Sequence, residues 1–299
     1  MSTVSAKSKA PWFSAARVKT LPAAIAPVLV GTMIAYPNII WWVFASTILA
    51  TLMIQIGTNF ANDYFDFKNG VDNEDRLGPA RATAEGWITP AMMKKGFIIA
   101  FGCSFLFGLA LVYRGGLPIL LIGLLSIAFG ILYTGGPKPL GYLGFGDILV
   151  FIFFGPVAVA GSVYVHTLTW SWTALFFGCG IGAITNAILI VNNKRDIDND
   201  RVSGKMTMVA RFGLGFANIE YILMWGIAVI SPILAGYYSG NKVLMIAAAG
   251  TLIGLPLIAK FTKTEGEKLN PMLGQTAAGL LFYALVCSIV IFLSTKMSL

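Results

Sequence analysis

Long apolar runs alternate with short polar ones along the chain, and no run alternates residue by residue as a half-buried strand does. A run of about 20 apolar residues has the length of a membrane-crossing helix. Nine are read here, at 21–37, 39–62, 96–113, 117–134, 147–165, 172–192, 217–238, 243–259 and 275–295. Lipid offers the backbone no hydrogen-bond partners, so spanning segments are helices or closed barrels, and non-alternating runs exclude a barrel. The pattern predicts an all-α polytopic membrane protein, a nine-helix bundle forming one domain over residues 1–299. Residues 1–20 show no apolar stretch followed by a small-residue cleavage site, so an uncleaved first helix is expected. Pro22, Pro27, Pro156 and Pro232 are expected to kink their helices, and Gly178, Gly180 and Gly182 to allow close helix approach.

Composition agrees: 57% of residues are hydrophobic and 11% charged, against about 25% charged in soluble domains. Basic residues fix the expected orientation. With the N-terminus inside, all Lys and Arg except Arg114, Lys242 and Lys296 fall in cytoplasmic segments, and the C-terminus lies outside. The net charge of +8 then reflects topology and anionic membrane lipid, and no nucleic-acid partner is expected. Cys103, Cys179 and Cys287 fall within apolar spans as small buried hydrophobes. His166, the only histidine, is placed in a short outside loop, so a histidine metal site or a Ser-His-Asp hydrolase is excluded.

Acidic residues are scarce and concentrated. Eight of the 13 lie in two windows: Asp63, Asp66, Asp72, Glu74 and Asp75 in the first, Asp196, Asp198 and Asp200 in the second. Asn59, Asn62, Asp63 and Asp66 share one helix face, with Gln55 one turn deeper; Asn192, Asp196 and Asp200 share another, and Asp198 points elsewhere. Asp63 and Asp196 stand four helices apart, which hints at two four-helix halves plus a ninth helix. Carboxylates at the hydrocarbon boundary need a cation or water. Two such stripes with amide neighbours give all-oxygen ligation, which suits Mg²⁺. Ion pairing with Lys194, Arg195 and Arg201 is the plainer alternative. Lys68, Arg76, Arg81, Lys138, Arg201 and Lys205 interleave with the acids; around a polyanion such charges stabilise departing phosphate, and otherwise they anchor topology.

Asn62-Asp-Tyr-Phe-Asp66 and Asp196-Ile-Asp-Asn-Asp200, each closing a helix, resemble the aspartate motifs of the UbiA superfamily of intramembrane prenyltransferases. Arg17-Val-Lys-Thr-Leu-Pro, Gly78-Pro-Ala-Arg81, Tyr133-Thr-Gly-Gly-Pro-Lys138, Val191-Asn-Asn-Lys-Arg-Asp and Leu269-Asn-Pro-Met-Leu-Gly-Gln are similar to its branch acting on 1,4-dihydroxy-2-naphthoate. Two positions depart from the broad pattern: Gly70 stands where a third carboxylate is usual, with Asp72 two residues on, and Asn192 stands where many relatives carry Lys. The resemblance implies transfer of a polyprenyl group from an allylic polyprenyl diphosphate, with loss of diphosphate and CO₂, at a bacterial cytoplasmic membrane. It implies Mg²⁺ held by Asp63, Asp66, Asp72, Asp196 and Asp200, with Asn59, Asn62 and Asn192 beside it and Lys138 and Arg201 assisting departure. Arg17, Lys19, Gln55, Lys68, Arg76, Arg81, Tyr133 and Lys205 are expected to bind substrate. Prenylation of 4-hydroxybenzoate or homogentisate, and ion-coupled transport, remain alternatives at this point.

Overall fold

A computed structural model describes residues 10–72 and 77–298. Arg76, expected at the site, and Lys7 and Lys9, counted in the orientation, lie outside the described residues. The helices run α1 Pro11–Ala16, α2 Pro22–Ile34, α3 Trp41–Lys68, α4 Pro90–Leu132, α5 Gly146–Ile152, α6 Ala158–Thr167, α7 Trp172–Arg195, α8 Ile197–Val202, α9 Met208–Ser239, α10 Gly254–Phe261 and α11 Asn270–Ser298. A 3-10 segment, Lys242–Ile253, leads into α10, and a π turn, Phe153–Val157, joins α5 to α6. Starts follow local chemistry. Thr89, Ser171 and Thr207 each precede a long helix and accept a first-turn N–H, from Met92, Ala174 and Ala210.

Among the described residues seven helices are long and apolar enough to cross a membrane, or eight if the bent pair Pro11–Thr20 and Pro22–Ile34 forms one span. That number counts the runs 96–113 and 117–134 together as α4; they are two helices that meet at Gly116, whose φ 66° and ψ −151° are non-helical and open to glycine. Two of the four prolines stand where the chain bends: Pro22 opens α2 just after a 48° bend from the segment Pro11–Thr20, and Pro156 lies in the π turn, while Pro27 and Pro232 sit inside helices without a backbone break. The breaks fall at glycines: Gly116, Gly155 beside Pro156, and Gly213.

α7 is the axis of the bundle. Its Ile181, Ile184, Ile190 and Val191 join Trp225, Ala228, Leu280 and Tyr283 in the largest apolar core. The expected glycine contacts are present. A methyl group added at Gly182 would strike the carbonyl of Phe151, and one at Gly178 would strike Pro156. α7 packs chiefly on α9, and α3 on α4. α3 rises about 1.5 Å per residue, so its start and its acidic end stand roughly 40 Å apart.

His166 is not in a loop. It lies in the last turn of α6, 2% exposed, where Nδ1 accepts the Ile40 N–H at 3.1 Å and Nε2 stands 3.4 Å from Thr32 Oγ1. Arg114 donates to the carbonyls of Val165 and His166. These bonds tie four helices together at the end remote from the acids.

Candidate active site

At the acidic end of the bundle a cavity of about 740 Å³ opens downward between α2, α3, α4, the α5–α6 rod and α7. Its depth is apolar, with Leu111, Ile119, Phe153 and Ile188 among its walls, while its mouth carries Arg17, Lys19, Asp63, Asp66, Arg81, Tyr133, Arg195 and Lys205. Helix geometry explains the arrangement. Asp63 and Asp66 lie on the inward face of α3, one turn from its end, and are 1% and 3% exposed.

The chain after α3 folds back over the mouth and is pinned there. Asp63 Oδ2 accepts the Ala82 N–H at 3.1 Å and Oδ1 the Thr83 N–H at 3.0 Å. Arg81 is thereby brought to 3.6 Å from Asp66 and 3.3 Å from Asp72. Tyr142 donates to Asp66 Oδ1 at 2.7 Å. Burial, reinforced by the Asp66 charge, raises the Tyr142 pKa, so this phenol stays protonated and donates.

The second motif forms a separate node. Arg195, 2% exposed, grips Asp196 with Nε at 2.9 Å and Nη2 at 2.6 Å, and also donates to Asn192 and Asn270. Asn270 in turn donates to the carbonyl of Leu77, and Asn199 to that of Val71, so both motifs hold the covering segment. Lys205 stands 3.3 Å from Asp200 Oδ1, whereas Asp200 Oδ2 is buried with no hydrogen-bond partner. Burial pushes the Asp200 carboxyl up to about 6; Lys205 opposes this, while Asp196 and Asp66 add to it. Lys205 lines the cavity mouth and so ties Asp200 to that space. Burial disfavours the Lys205 charge, but Asp200, Asp66 and Asp196 outweigh it and raise its pKa.

The expected amides bond mainly to protein. Asn59 donates to the carbonyl of Ala16 at 2.9 Å, and Asn62 accepts from Thr134 at 2.8 Å. Gln55 reaches Thr20 Oγ1 at 3.3 Å. Lys68, Lys138 and Arg201 are exposed and do not line the cavity; Arg201 donates to the carbonyl of Ala210. Asp198 is exposed, as its helix position predicted. Lys194 pairs with no carboxylate in the site: it donates to Asn218 and to the carbonyl of Phe261, 4.3 Å above that ring. Arg195, Tyr142 and Asn270 were not singled out from sequence for the site. The Leu269-Asn-Pro pattern was noted, but its bond to Arg195, 75 residues earlier, needed the fold.

Among the described residues no three His, Cys, Asp or Glu side chains form a compact metal cage. The donor set nonetheless fits a hard cation. It is all oxygen, and it leaves Asp200 Oδ2 unpartnered in a buried position.

An apolar cavity beneath a mouth of paired acids and bases suits a membrane-embedded enzyme whose substrate has a charged head and a greasy tail. The chain belongs to the UbiA prenyltransferase family, which it matches over residues 24–286. It is 35% identical over 288 residues to the 1,4-dihydroxy-2-naphthoate octaprenyltransferase of Mycobacterium tuberculosis, covering 93% of this chain and 95% of that one. It is also 35% identical over 301 residues to the Escherichia coli protein of the same name, covering 95% of each. A UbiA homologue from Archaeoglobus fulgidus bound to GPP and Mg²⁺ shares the fold at a TM-score of 0.67, with 16% identity over 93% of this chain and 99% of that one. The chain is an integral membrane prenyltransferase, which sets aside ion-coupled transport.

Proposed function

We propose that this protein transfers a polyprenyl group from an allylic polyprenyl diphosphate to 1,4-dihydroxy-2-naphthoate, releasing diphosphate and CO₂ and forming demethylmenaquinol, the reduced form of demethylmenaquinone, for menaquinone biosynthesis. The observation that carries it is the deep apolar cavity whose mouth holds Asp63 and Asp66 of the first motif and Lys205, which stands 3.3 Å from Asp200 of the second. The names of the relatives above support the acceptor. The protein acts as one domain over residues 1–299, with the acidic mouth and the N-terminus facing the cytoplasm of a bacterial cell and the C-terminus outside.

Asp63, Asp66, Asp72, Asp196 and Asp200 are the oxygen donors for Mg²⁺, which when bound supplies the positive charge that a departing diphosphate requires. Arg81, Lys205 and Arg195 add fixed positive charge at the mouth, and Tyr133 offers a hydroxyl donor there. Burial, then the charges of Asp147, Asp66 and Asp200, raise the Tyr133 pKa and keep that donor protonated. Arg17 and Lys19 face the same space and take the acceptor carboxylate, with Gln55 beside them. Lys68, Lys138 and Arg201, exposed at this end, draw the anionic substrates and lipid headgroups toward the mouth. The apolar walls hold the isoprenoid tail and keep water from the allylic cation.

The test is to give purified protein a polyprenyl diphosphate, Mg²⁺ and a panel of aromatic acceptors, and to identify products by mass spectrometry. The expected product is the prenylated naphthalenediol, with carbon from the acceptor carboxyl released as CO₂. Equal or better use of 4-hydroxybenzoate or homogentisate overturns the naphthoate acceptor while leaving prenyl transfer standing.

A further inference from the structure

A second polar grip lies on α3, one to two turns deeper than Asp63. Asn59 Nδ2 donates to the carbonyl of Ala16 at 2.9 Å and to Thr20 Oγ1 at 3.4 Å, and Gln55 Nε2 donates to the same hydroxyl oxygen at 3.3 Å. Thr20 Oγ1 donates to the carbonyl of Arg17 at 2.9 Å. Arg17, which ends α1, has φ 50° and ψ 57°, a left-handed shape uncommon outside glycine. The grip on Ala16 and Thr20, on either side of it, holds this turn against α3. Arg17, Lys19, Thr20, Gln55 and Asn59 all line the cavity.

The bonds fix which way the Gln55 amide faces. A hydroxyl carries one proton, and that of Thr20 goes to the Arg17 carbonyl. Thr20 Oγ1 therefore accepts from Gln55, which turns Nε2 toward Thr20 and leaves Oε1 on the other side. Gln55 is 7% exposed, and Oε1 is buried without a hydrogen-bond partner. Thr51, one turn deeper on α3, gives its proton to backbone carbonyls and has none for it. A buried acceptor left in this state is costly. Turning the amide over would only set Oε1 against an oxygen with no proton to give.

We propose that Gln55 determines which acceptor the enzyme takes: Oε1 accepts a hydrogen bond from a ring hydroxyl of the acceptor, while Arg17, at the turn Gln55 helps to hold, binds the carboxylate of the same ring. That the ligand is the aromatic acceptor rests on the proposed function. In 1,4-dihydroxy-2-naphthoate the 1-hydroxyl is beside the carboxylate and bonds to it internally; the 4-hydroxyl, across the ring, is free to donate. A carboxylate at Arg17 and a hydroxyl at Gln55 fix two points of a rigid ring, and so its orientation. Gln55 stands eight positions before Asp63, about 12 Å along the helix. The ring therefore lies inside the cavity, below the acids and above the apolar depth. An acceptor without that hydroxyl leaves Oε1 without a donor. A site built to bond a hydroxyl rejects such an analogue far more strongly than it rejects a change in apolar bulk. No bond to Gln55 forms or breaks in the reaction, and this hydroxyl keeps its proton.

Two binding measurements on the full chain in lipid nanodiscs test this. Calorimetry compares the acid that the wild type prenylates with its analogue lacking one hydroxyl, which for the naphthoate is 1-hydroxy-2-naphthoate. Wild type binds the full acceptor about thirty-fold more tightly, and Gln55→Met brings the two within about three-fold by weakening the full acceptor alone. A purely structural role for Gln55 lowers both affinities together and keeps their ratio; that result, or equal binding of the pair by wild type, overturns the proposal. A wild type that prenylates another phenolic acid and no naphthoate overturns the acceptor assigned above, and the same comparison on that acid still decides the role of Gln55. The second measurement needs no variant at position 55. The chain holds two glutamines, Gln55 and Gln275, and Gln275 is exposed and bonded to Lys260. In protein made with glutamine carrying ¹³C at the side-chain carbonyl, the infrared band of Gln55 shifts down on adding the full acceptor and not on adding the analogue, while that of Gln275 stays. Gln275→Asn removes the second band and so assigns the first. A Gln55 band that stays in place with the full acceptor overturns the hydrogen bond.

Discussion

Replacing Asp63 by asparagine keeps the shape of the side chain and removes half of its bonding to the covering segment. The carboxylate, 1% exposed, accepts one N–H from Ala82 and one from Thr83. An amide retains one acceptor and turns a donor toward the other N–H. A hydrogen bond to a charged group contributes about 1.5–3 kcal/mol, and an unsatisfied buried N–H costs about 1–3 kcal/mol. Within the segment, Glu85 N–H to Arg81 and Ile88 N–H to Ala82 survive, so a net loss of about 3 kcal/mol against local opening is a fair figure. At about 1.4 kcal/mol per factor of ten, the amides of Ala82 and Thr83 should exchange with deuterium about a hundred-fold faster. Hydrogen-exchange mass spectrometry without divalent cation measures this directly and separates the anchoring of the segment from metal ligation. The amide of Ile40, held by His166 at the remote end, serves as the control and should not change. Wild-type exchange at Ala82 and Thr83 in the asparagine variant would refute the anchor.

Arg195→Ala leaves Asp196 without its guanidinium in a buried site, which costs about 3–5 kcal/mol; melting in detergent should fall by about ten degrees, with partial recovery in the double variant with Asp196→Ala, and a shift within error would show the node carries no stability. Tyr142→Phe removes the O–H bonded to Asp66 and should lower kcat/KM about ten-fold in steady-state assays, since a hydrogen bond to a charge contributes about 1.5–3 kcal/mol; unchanged kinetics would show that Asp66 does not depend on it. A chelator should abolish turnover and excess Mg²⁺ restore it, while metal analysis of active protein should find no stoichiometric zinc, there being no His or Cys among the site residues; tightly held zinc would contradict the oxygen-donor site.

The one-face spacing on α3 was legible because a single helix carries it, and Asp63 and Asp66 indeed lie together at the cavity mouth. What holds them was not legible. The Asp63 contacts come from residues 19 and 20 positions later, and the Tyr142 contact from 76 positions later. Helical periodicity carries no information about where a returning loop lands. Nearness in sequence is a weak guide for the basic residues for a related reason: Lys68, two positions from Asp66, lies on a different helix face and is exposed. Proline marks the bend before α2 and the π turn at Pro156, but two further breaks, at Gly116 and Gly213, carry no proline; there a missing side chain opens backbone shapes closed to other residues. His166 was misplaced because its two ring nitrogens find partners on α2 and before α3, which lets a polar side chain finish a helix in the interior.

Asn270 stands at the first turn of α11 and bonds on one side to Arg195 and on the other to the carbonyl of Leu77. Chains are made from the N-terminus onward, so this joint is closed by a segment that leaves the ribosome after all the acids have done so. Until then the Arg195 node lacks one partner and the segment across the mouth lacks one tether. Competence is therefore acquired late in biogenesis, on insertion of α11. A ribosome stalled short of that point leaves a chain with every acid of the two motifs already made and an unfinished mouth.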